Sequence, residues 1–189
     1  MSTETRVTTC PVPGSPHADC ITLAHGEGGR LMRRLIRQRI LPVMKNDYLN
    51  ELGDAASLPR CDGPLAMTTD SFVVSPLFFP GGDIGSLAVY GTVNDLAVSS
   101  AFPLWISVGL ILEEGLPIET LERVLKSLAE AARRCDVEVV TGDTKVVPRG
   151  AADGLFINTT GIGKELTPRA PGASHLQPGD ELIVTGPIG

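Results

Sequence analysis

Hydrophobic positions recur at helical spacing in three stretches of the chain. Leu31, Leu35, Ile36 and Ile40 fall near one face of a helix expected over Arg30–Leu41, while Arg30, Arg33, Arg34, Arg37 and Arg39 cover the rest and Pro42 ends it. A second helix is expected over Ile84–Ser99, after Pro80-Gly81-Gly82 and with Asp83 as its N-cap. The third, Pro117–Arg134, is the most amphipathic: Pro117 suits a first turn, and Leu121, Val124, Leu125 and Leu128 form its apolar stripe. Between these lie short apolar runs that read as strands: Leu65–Thr69, Leu104–Leu112, Val137–Thr141 and the β-branched Leu155–Ile162.

Helices and strands alternate, yet Leu155–Ile162 follows a hairpin-like turn around Arg149–Gly154. That order favours an α+β fold, a mixed or antiparallel sheet with helices on one side, over a doubly wound parallel sheet. Pro11, Pro13, Gly14 and Pro16 make residues 1–20 a flexible tail, so the ordered domain is expected over 21–165. From Thr167 to Asp180 the chain is turn-rich and reads as a linker. Glu181–Thr185 reads as the first strand of a second unit, so residues 166–189 look like the start of a domain cut short.

Composition narrows the function classes. The chain has 189 residues, 42% of them hydrophobic, enough for one well-filled core. A net charge of −6 leaves no electrostatic footprint for nucleic acid. No run approaches the ~18 charge-free apolar residues of a membrane helix, and the polar N-terminus has no signal-peptide core. Neither a nucleic-acid nor a membrane partner is expected, and the location expected is the cytoplasm. Cys10, Cys20, Cys61 and Cys135 form no CxxC pair and read as reduced thiols, with a Cys10–Cys20 disulfide or a catalytic thiol as alternatives.

Four aspartates carry the chemistry. Asp54 sits in Gly53-Asp54-Ala55-Ala56, Asp70 at the end of the strand with Thr68-Thr69, and Asp143 directly after a strand in Thr141-Gly142-Asp143-Thr144-Lys145. Asp95 lies among Val93, Leu96, Ala97 and Val98, where an unpaired carboxylate is costly. Carboxylates that converge repel one another without a cation, and hard oxygen ligands suit Mg2+ alongside substrate phosphates. Lys145, two residues after Asp143, fits a phosphate site. The glycine-rich stretches His25–Gly29 and Pro80–Gly85 each precede a helix, where backbone N–H groups favour anions, although no GxxxxGK[ST] or GxGxxG occurs. Each feature also has a plain structural reading: a turn for Asp54 or Asp143, a pairing for Asp95, a structural His25, and a solvated face for the five arginines and for Glu113-Glu114.

The strings HGEGG, TTDSFVVSPLFFPGGDIGSLAVYGTVNDLAVSSA, LILEEGLP, VTGDTKVVPRG and FINTTGIG, in order from Leu23 to Gly163, resemble the HypE family of hydrogenase maturation proteins. That family belongs to the PurM-like superfamily of aminoimidazole ribonucleotide synthetase, selenophosphate synthetase and thiamine-monophosphate kinase. The resemblance implies a PurM N-terminal-like domain whose sheet pairs with its copy in a homodimer, with ATP and Mg2+ in a cleft nearby. It implies ATP-dependent dehydration of a carbamoyl group, carried as a thiocarboxamide on a C-terminal cysteine, to a thiocyanate whose cyanide goes to [NiFe]-hydrogenase. HypF would donate the carbamoyl group and a HypC–HypD complex would receive the cyanide. By similarity Asp54, Asp70, Asp95 and Asp143 are the Mg2+–phosphate ligands, Asp143 and Lys145 the catalytic pair, and Gly81, Gly82, Asp83, Gly85, Asn94 and Asp95 the nucleotide-holding set. One departure stands out. The family's acceptor cysteine ends a second domain, and none of the four cysteines here matches it, so no complete dehydration is expected of this chain alone. Another PurM-like kinase or ligase and a non-catalytic dimerisation module are the alternatives.

Overall fold

The computed structural model describes residues 19–166, 172–184 and 186–187. After a 3-10 turn, Leu23–Gly26, come the short helices α1 (Arg30–Leu35), α2 (Leu41–Met44) and α3 (Asp47–Asn50), with a π-turn, Ile36–Ile40, joining the first two. Strand β1 (Leu65–Phe72) leads to a small hairpin of β2 (Phe78–Phe79) and β3 (Gly82–Asp83), then α4 (Ile84–Val98). Strand β4 (Ala101–Glu113), helix α5 (Ile118–Arg134), β5 (Glu138–Val147) and β6 (Leu155–Glu165) complete the domain.

The sheet runs β1-β6-β4-β5. Both partners of β6 are antiparallel to it, and β4 and β5 are parallel across the α5 crossover. This is the mixed α+β architecture expected. Alternation along the strands gives the sheet one covered face. Ile106, Val108, Leu110 and Leu112 of β4, with Leu155 and Ile157 of β6, join the core formed with α4 and α5. In α5 the stripe Leu121, Val124, Leu125 and Leu128 is fully buried, each side chain contributing roughly 1.5–3 kcal/mol. The other face carries the exposed Leu65, Met67 and Ile111 together with Thr69, Ser71, Asn158 and Thr160.

Helices α4 and α5 meet at a glycine. A Cβ on Gly85 would lie 2.3 Å from the Val124 carbonyl oxygen, so only glycine lets the two backbones approach this closely. Gly161 plays the same part between sheet and α4, since a Cβ there would lie 2.6 Å from Thr92 Cγ2.

Several elements run further than the sequence suggests. Proline 42 does not end the first helix, which continues to Met44. A proline lacks an N–H and its ring crowds the carbonyl four residues back. The π-turn ahead of it, in which Leu41 N–H bonds to the Ile36 carbonyl, widens the helix where that crowding falls. Strand β1 extends to Phe72 and β5 to Val147, so Asp70 and Asp143 stand within strands and not at or just beyond their ends. Pairing with neighbours outweighs the glycine and aspartate that locally signal a turn: Asp70 sits opposite Thr159, and Asp143 opposite Gly109. Pro117 is the N-cap of α5, one residue before its first turn.

Residues 181–184 adopt no regular structure. Leu182 and Ile183 are 96% and 84% exposed, and an apolar run becomes a strand only where a neighbour supplies its hydrogen bonds. The flexible tail read from the sequence falls outside the described residues except for Asp19 and Cys20, as do 167–171 of the linker. Cys61 and Cys135 are free thiols, whereas Cys20 is disulfide-bonded, contrary to the expectation of four reduced cysteines. A disulfide at Cys20 is the alternative that the sequence reading holds open.

Gly85→Ala is expected to cost about 1–3 kcal/mol through overpacking at the α4–α5 crossing. Gly172→Ala, where a Cβ meets nothing within 4 Å, should leave the urea midpoint unchanged. Equal midpoints for the two variants would refute the close-approach argument.

Candidate functional site

The side chain of Asp83 closes the N-terminus of α4. Its Oδ1 accepts from Gly85 N–H at 2.7 Å and Ser86 N–H at 3.2 Å, while Ser86 Oγ accepts from Asp83 N–H at 3.1 Å. The first free N–H groups of the helix are thus taken internally, and Gly85 is buried against α5. Pro80 and Gly81, the latter at φ +95° with open space around it, make the turn between β2 and β3, and the half-buried Gly82 opens β3 opposite Phe79.

Two separate acidic groupings emerge. The first lies between β1 and α4. Asp70 Oδ1 accepts from Ser71 N–H at 2.8 Å, and Gly91 lets the Phe72 ring pack against α4 beside this carboxylate, since a Cβ there would lie 2.9 Å from the ring and 3.7 Å from Asp70 Oδ2. One turn further along α4, Asp95 Oδ2 accepts from Thr68 Oγ1 at 2.9 Å. Thr68 and Asp70 are two apart and share a strand face, so Asp70 and Asp95 flank one groove. Each keeps one carboxylate oxygen without a hydrogen bond to the described residues. Asp95 is exposed, as is Asn94. The expectation that Asp95 is a costly buried charge is therefore corrected: Val93 and Leu96 turn towards the core, and the helical period carries Asp95 outwards.

The second grouping is at β5. Lys145 Nζ lies 3.5 Å from Asp143 Oδ2, both side chains about two-thirds exposed at 65% and 64%. Their register partners Gly109 and Ile111 alternate with the core residues Val108 and Leu110, which puts the pair on the sheet's uncovered face. Thr141–Thr144 also border a cavity of about 190 Å³, walled by α1, α2, α3 and β5. Gly53 and Ala55, on either side of the exposed Asp54, stand at its rim.

The four aspartates do not converge within one chain. β1 and β5 are opposite edges of the sheet, three strand spacings or about 14 Å apart. Among the described residues no group of three or more His, Cys, Asp or Glu side chains is placed to hold a metal. Sequence spacing could not reveal this, because the edge a strand occupies depends on the order of pairing.

Two features escaped the sequence reading. Glu113 reads as solvated, yet its Oε1 accepts from Gly150 N–H and its Oε2 from Gly154 N–H at 2.9 Å, clamping the β5–β6 turn. Its place at a strand end before a glycine was the signal available. Thr92 and Thr159 share a buried hydroxyl pair beneath Asp70, with Thr92 Oγ1 also donating to the Ala88 carbonyl at 2.9 Å. The HGEGG loop lies against β5, where a Cβ on Gly26 would come within 2.9 Å of Val146. His25 Nδ1 accepts from Thr22 N–H at 3.0 Å, which requires that nitrogen to be unprotonated. Burial holds its pKa below the usual 6.5.

A mixed sheet backed by two helices, a capped glycine turn and paired edge carboxylates define the class. The chain belongs to the AIR synthase related protein family, whose N-terminal domain it matches over residues 52–164. Within that class it is similar to HypE. It is 51% identical over 174 residues to carbamoyl dehydratase HypE of Escherichia coli, covering 89% of this chain and 52% of that protein. The crystal structure of hydrogenase maturation protein HypE in complex with ATP superposes with a TM-score of 0.77 at 56% identity, over 79% of this chain and 45% of the other. That of a HypE–HypF complex matches with a TM-score of 0.55 at 49% identity, over 71% and 43%. The chain spans about half the length of the curated relatives it matches. Among the described residues no helix is long and apolar enough to cross a membrane.

The lowered pKa of His25 sets a sign. The unfolded ring takes up its proton near pH 6.5 and the folded ring only below that, so the stability His25 contributes is present above 6.5 and is lost as pH falls through the folded value. Urea midpoints should therefore fall more between neutral and mildly acid pH for the natural chain than for His25→Gln. Parallel profiles would show that His25 is not held neutral.

Proposed function

We propose that this chain binds ATP with Mg2+ and forms the nucleotide-handling part of a carbamoyl dehydratase acting in hydrogenase maturation. The observation that carries the reading is the Asp70–Asp95 groove between β1 and α4, in a fold similar to a HypE crystallised with ATP. The donor set fits Mg2+: two carboxylates, each with a free oxygen, are what this ion takes from a protein when substrate phosphates and water supply the rest. Bound there, the ion would neutralise phosphate charge during transfer. Asp70 and Asp95 would hold it, with Asn94, Gly81 and Gly82 as further nucleotide contacts. The capping role of Asp83 and the packing role of Gly85 would fix the start of α4 that supports them. Asp54, Asp143 and Lys145 would approach the phosphates from the β5 edge, Asp143 holding the ammonium of Lys145 towards a transferred phosphoryl group.

The chemistry explains the need for ATP. An amide oxygen is a poor leaving group. Phosphoryl transfer from ATP to the thiocarboxamide oxygen releases ADP and makes phosphate the leaving group. Its departure with loss of both N–H protons leaves the C≡N triple bond of a thiocyanate. Catalysis of such a transfer is mostly positioning and electrostatics, the work that edge carboxylates and Lys145 can do. HypF as carbamoyl donor, a HypC–HypD complex as cyanide acceptor and a cytoplasmic setting complete the reading. Support for the first is the solved complex of a similar HypE with HypF.

A homodimer through the sheet's uncovered face belongs to the same proposal. Its support is twofold: Leu65 and Met67, 50% and 72% exposed, lie uncovered on that face, and one chain keeps its acidic groupings about 14 Å apart. A two-fold pairing of sheets can set the β1 edge of one copy near the β5 edge of the other.

Calorimetric titration should show ATP binding that needs Mg2+, vanishes in EDTA and weakens about tenfold or more in Asp95→Asn. Equal binding in EDTA, or by the variant, would remove the groove from the nucleotide site. Met67→Asp should shift the light-scattering mass from dimer to monomer while the circular dichroism stays unchanged. A monomeric natural chain, or a variant that remains dimeric, would rule out this interface.

A further inference from the structure

Residues 28–46 hold six of the chain's sixteen basic residues and none of its twenty-two acidic ones, so the rest of the chain carries ten positive against twenty-two negative charges. The continuous helical segment from α1 through the π-turn to α2 presents Arg30, Arg33, Arg34 and Arg37 to solvent. Their spacing of three, four and seven residues lines them up on one face, with about 10 Å between the first and last positions. Arg39 differs: its guanidinium is held by Glu122 at 2.9 Å and Asp19 at 3.3 Å, which anchors the segment to α5. Among the described residues no carboxylate pairs with the other four, and Arg34 bonds only to the neutral Gln38 at 2.9 Å.

This arrangement opposes the helix's own electrostatics. Like charges three and four residues apart repel, and Arg30 adds a cation at the positive end of the helix dipole. A segment interrupted by a π-turn and Pro42 gains nothing from the stripe, while its apolar face is already secured by Leu35 and Met44 in the core. The four guanidiniums match an external array of negative charge. A single phosphate is too short for the row, and a nucleic-acid duplex, with one charge per ~1.7 Å, would carry a dense surplus past four guanidiniums onto the acidic remainder of the chain, whereas a peptide can confine its carboxylates to the length of the row. An acidic polypeptide presents carboxylates at intervals that planar guanidinium forks can each grip.

We infer that the Arg30–Arg33–Arg34–Arg37 stripe is a docking face for an acidic segment of a partner protein, separate from the sheet face and the Asp70–Asp95 groove. The test uses this chain, a fluorescent peptide of alternating glutamate and aspartate, an oligothymidylate of equal charge and inorganic tripolyphosphate. Two variants are compared: Arg30→Gln/Arg33→Gln/Arg34→Gln/Arg37→Gln, and a control that removes the same charge elsewhere, Arg60→Gln/Arg133→Gln/Arg134→Gln/Lys164→Gln. At low salt the peptide should bind the natural chain, about tenfold or more weaker to the stripe variant, with little change in the control. The stripe variant should also melt at or above the temperature of the natural chain, because repulsion is relieved. Equal losses in both variants would make the effect one of net charge and overturn the docking face. So would tighter binding of oligothymidylate or tripolyphosphate than of peptide, no peptide binding at low salt, or a lower melting temperature for the stripe variant.

Discussion

Burial of the α5 stripe against α4 and the sheet is the constraint on which the rest of the domain depends. Leu121, Val124, Leu125 and Leu128 can all leave water only if α5 crosses back over the sheet, and that crossover is what makes β4 and β5 parallel neighbours. The same packing demands glycine at position 85, because α4 must lie close enough for its backbone to touch that of α5. The Asp83 cap then fixes where α4 begins, and through it where Gly91 and Asp95 fall beside β1. A hydrophobic requirement thus determines the position of polar groups that take no part in it.

Sheet alternation distributes the chemistry. Phe72 of β1 and Val108 and Leu110 of β4 face the helices, and the period of two sends Asp70 to that side and Asp143 to the other. Strand order separates them further by placing β1 and β5 at opposite edges. The uncovered face between those edges combines exposed apolar side chains with threonines, a serine and an asparagine, a composition suited to contact rather than to open water.

Charge is as unevenly placed as hydrophobicity. The domain is acidic overall, yet its first helical segment is wholly basic, with Arg39 alone drawn inwards to tie that segment to α5. At the far end of β4, Glu113 uses both oxygens to hold the turn between β5 and β6. Its place at a strand end shortly before a glycine is the one local hint of such a role. Glu113 becomes a clamp because the strand order brings a turn from distant sequence within hydrogen-bond reach.

The sequence by itself determined the two long helices, the fold class, the Asp83 cap and the family, because apolar spacing and short strings such as TTDSF and GDTKVV are local properties. It also contained the aspartates that any reading of the chemistry must use. Tertiary structure decided the rest. β1 and β5 run past their local turn signals because pairing supplies hydrogen bonds that propensity does not count. Asp95 reaches solvent because α4 packs its Val93 and Leu96 side into the core, and residues 181–184 form no strand because no strand among the described residues lies beside them. Whether aspartates far apart in the chain meet depends on strand order and on which face each side chain takes, and these are set by long-range burial that no short window of sequence contains.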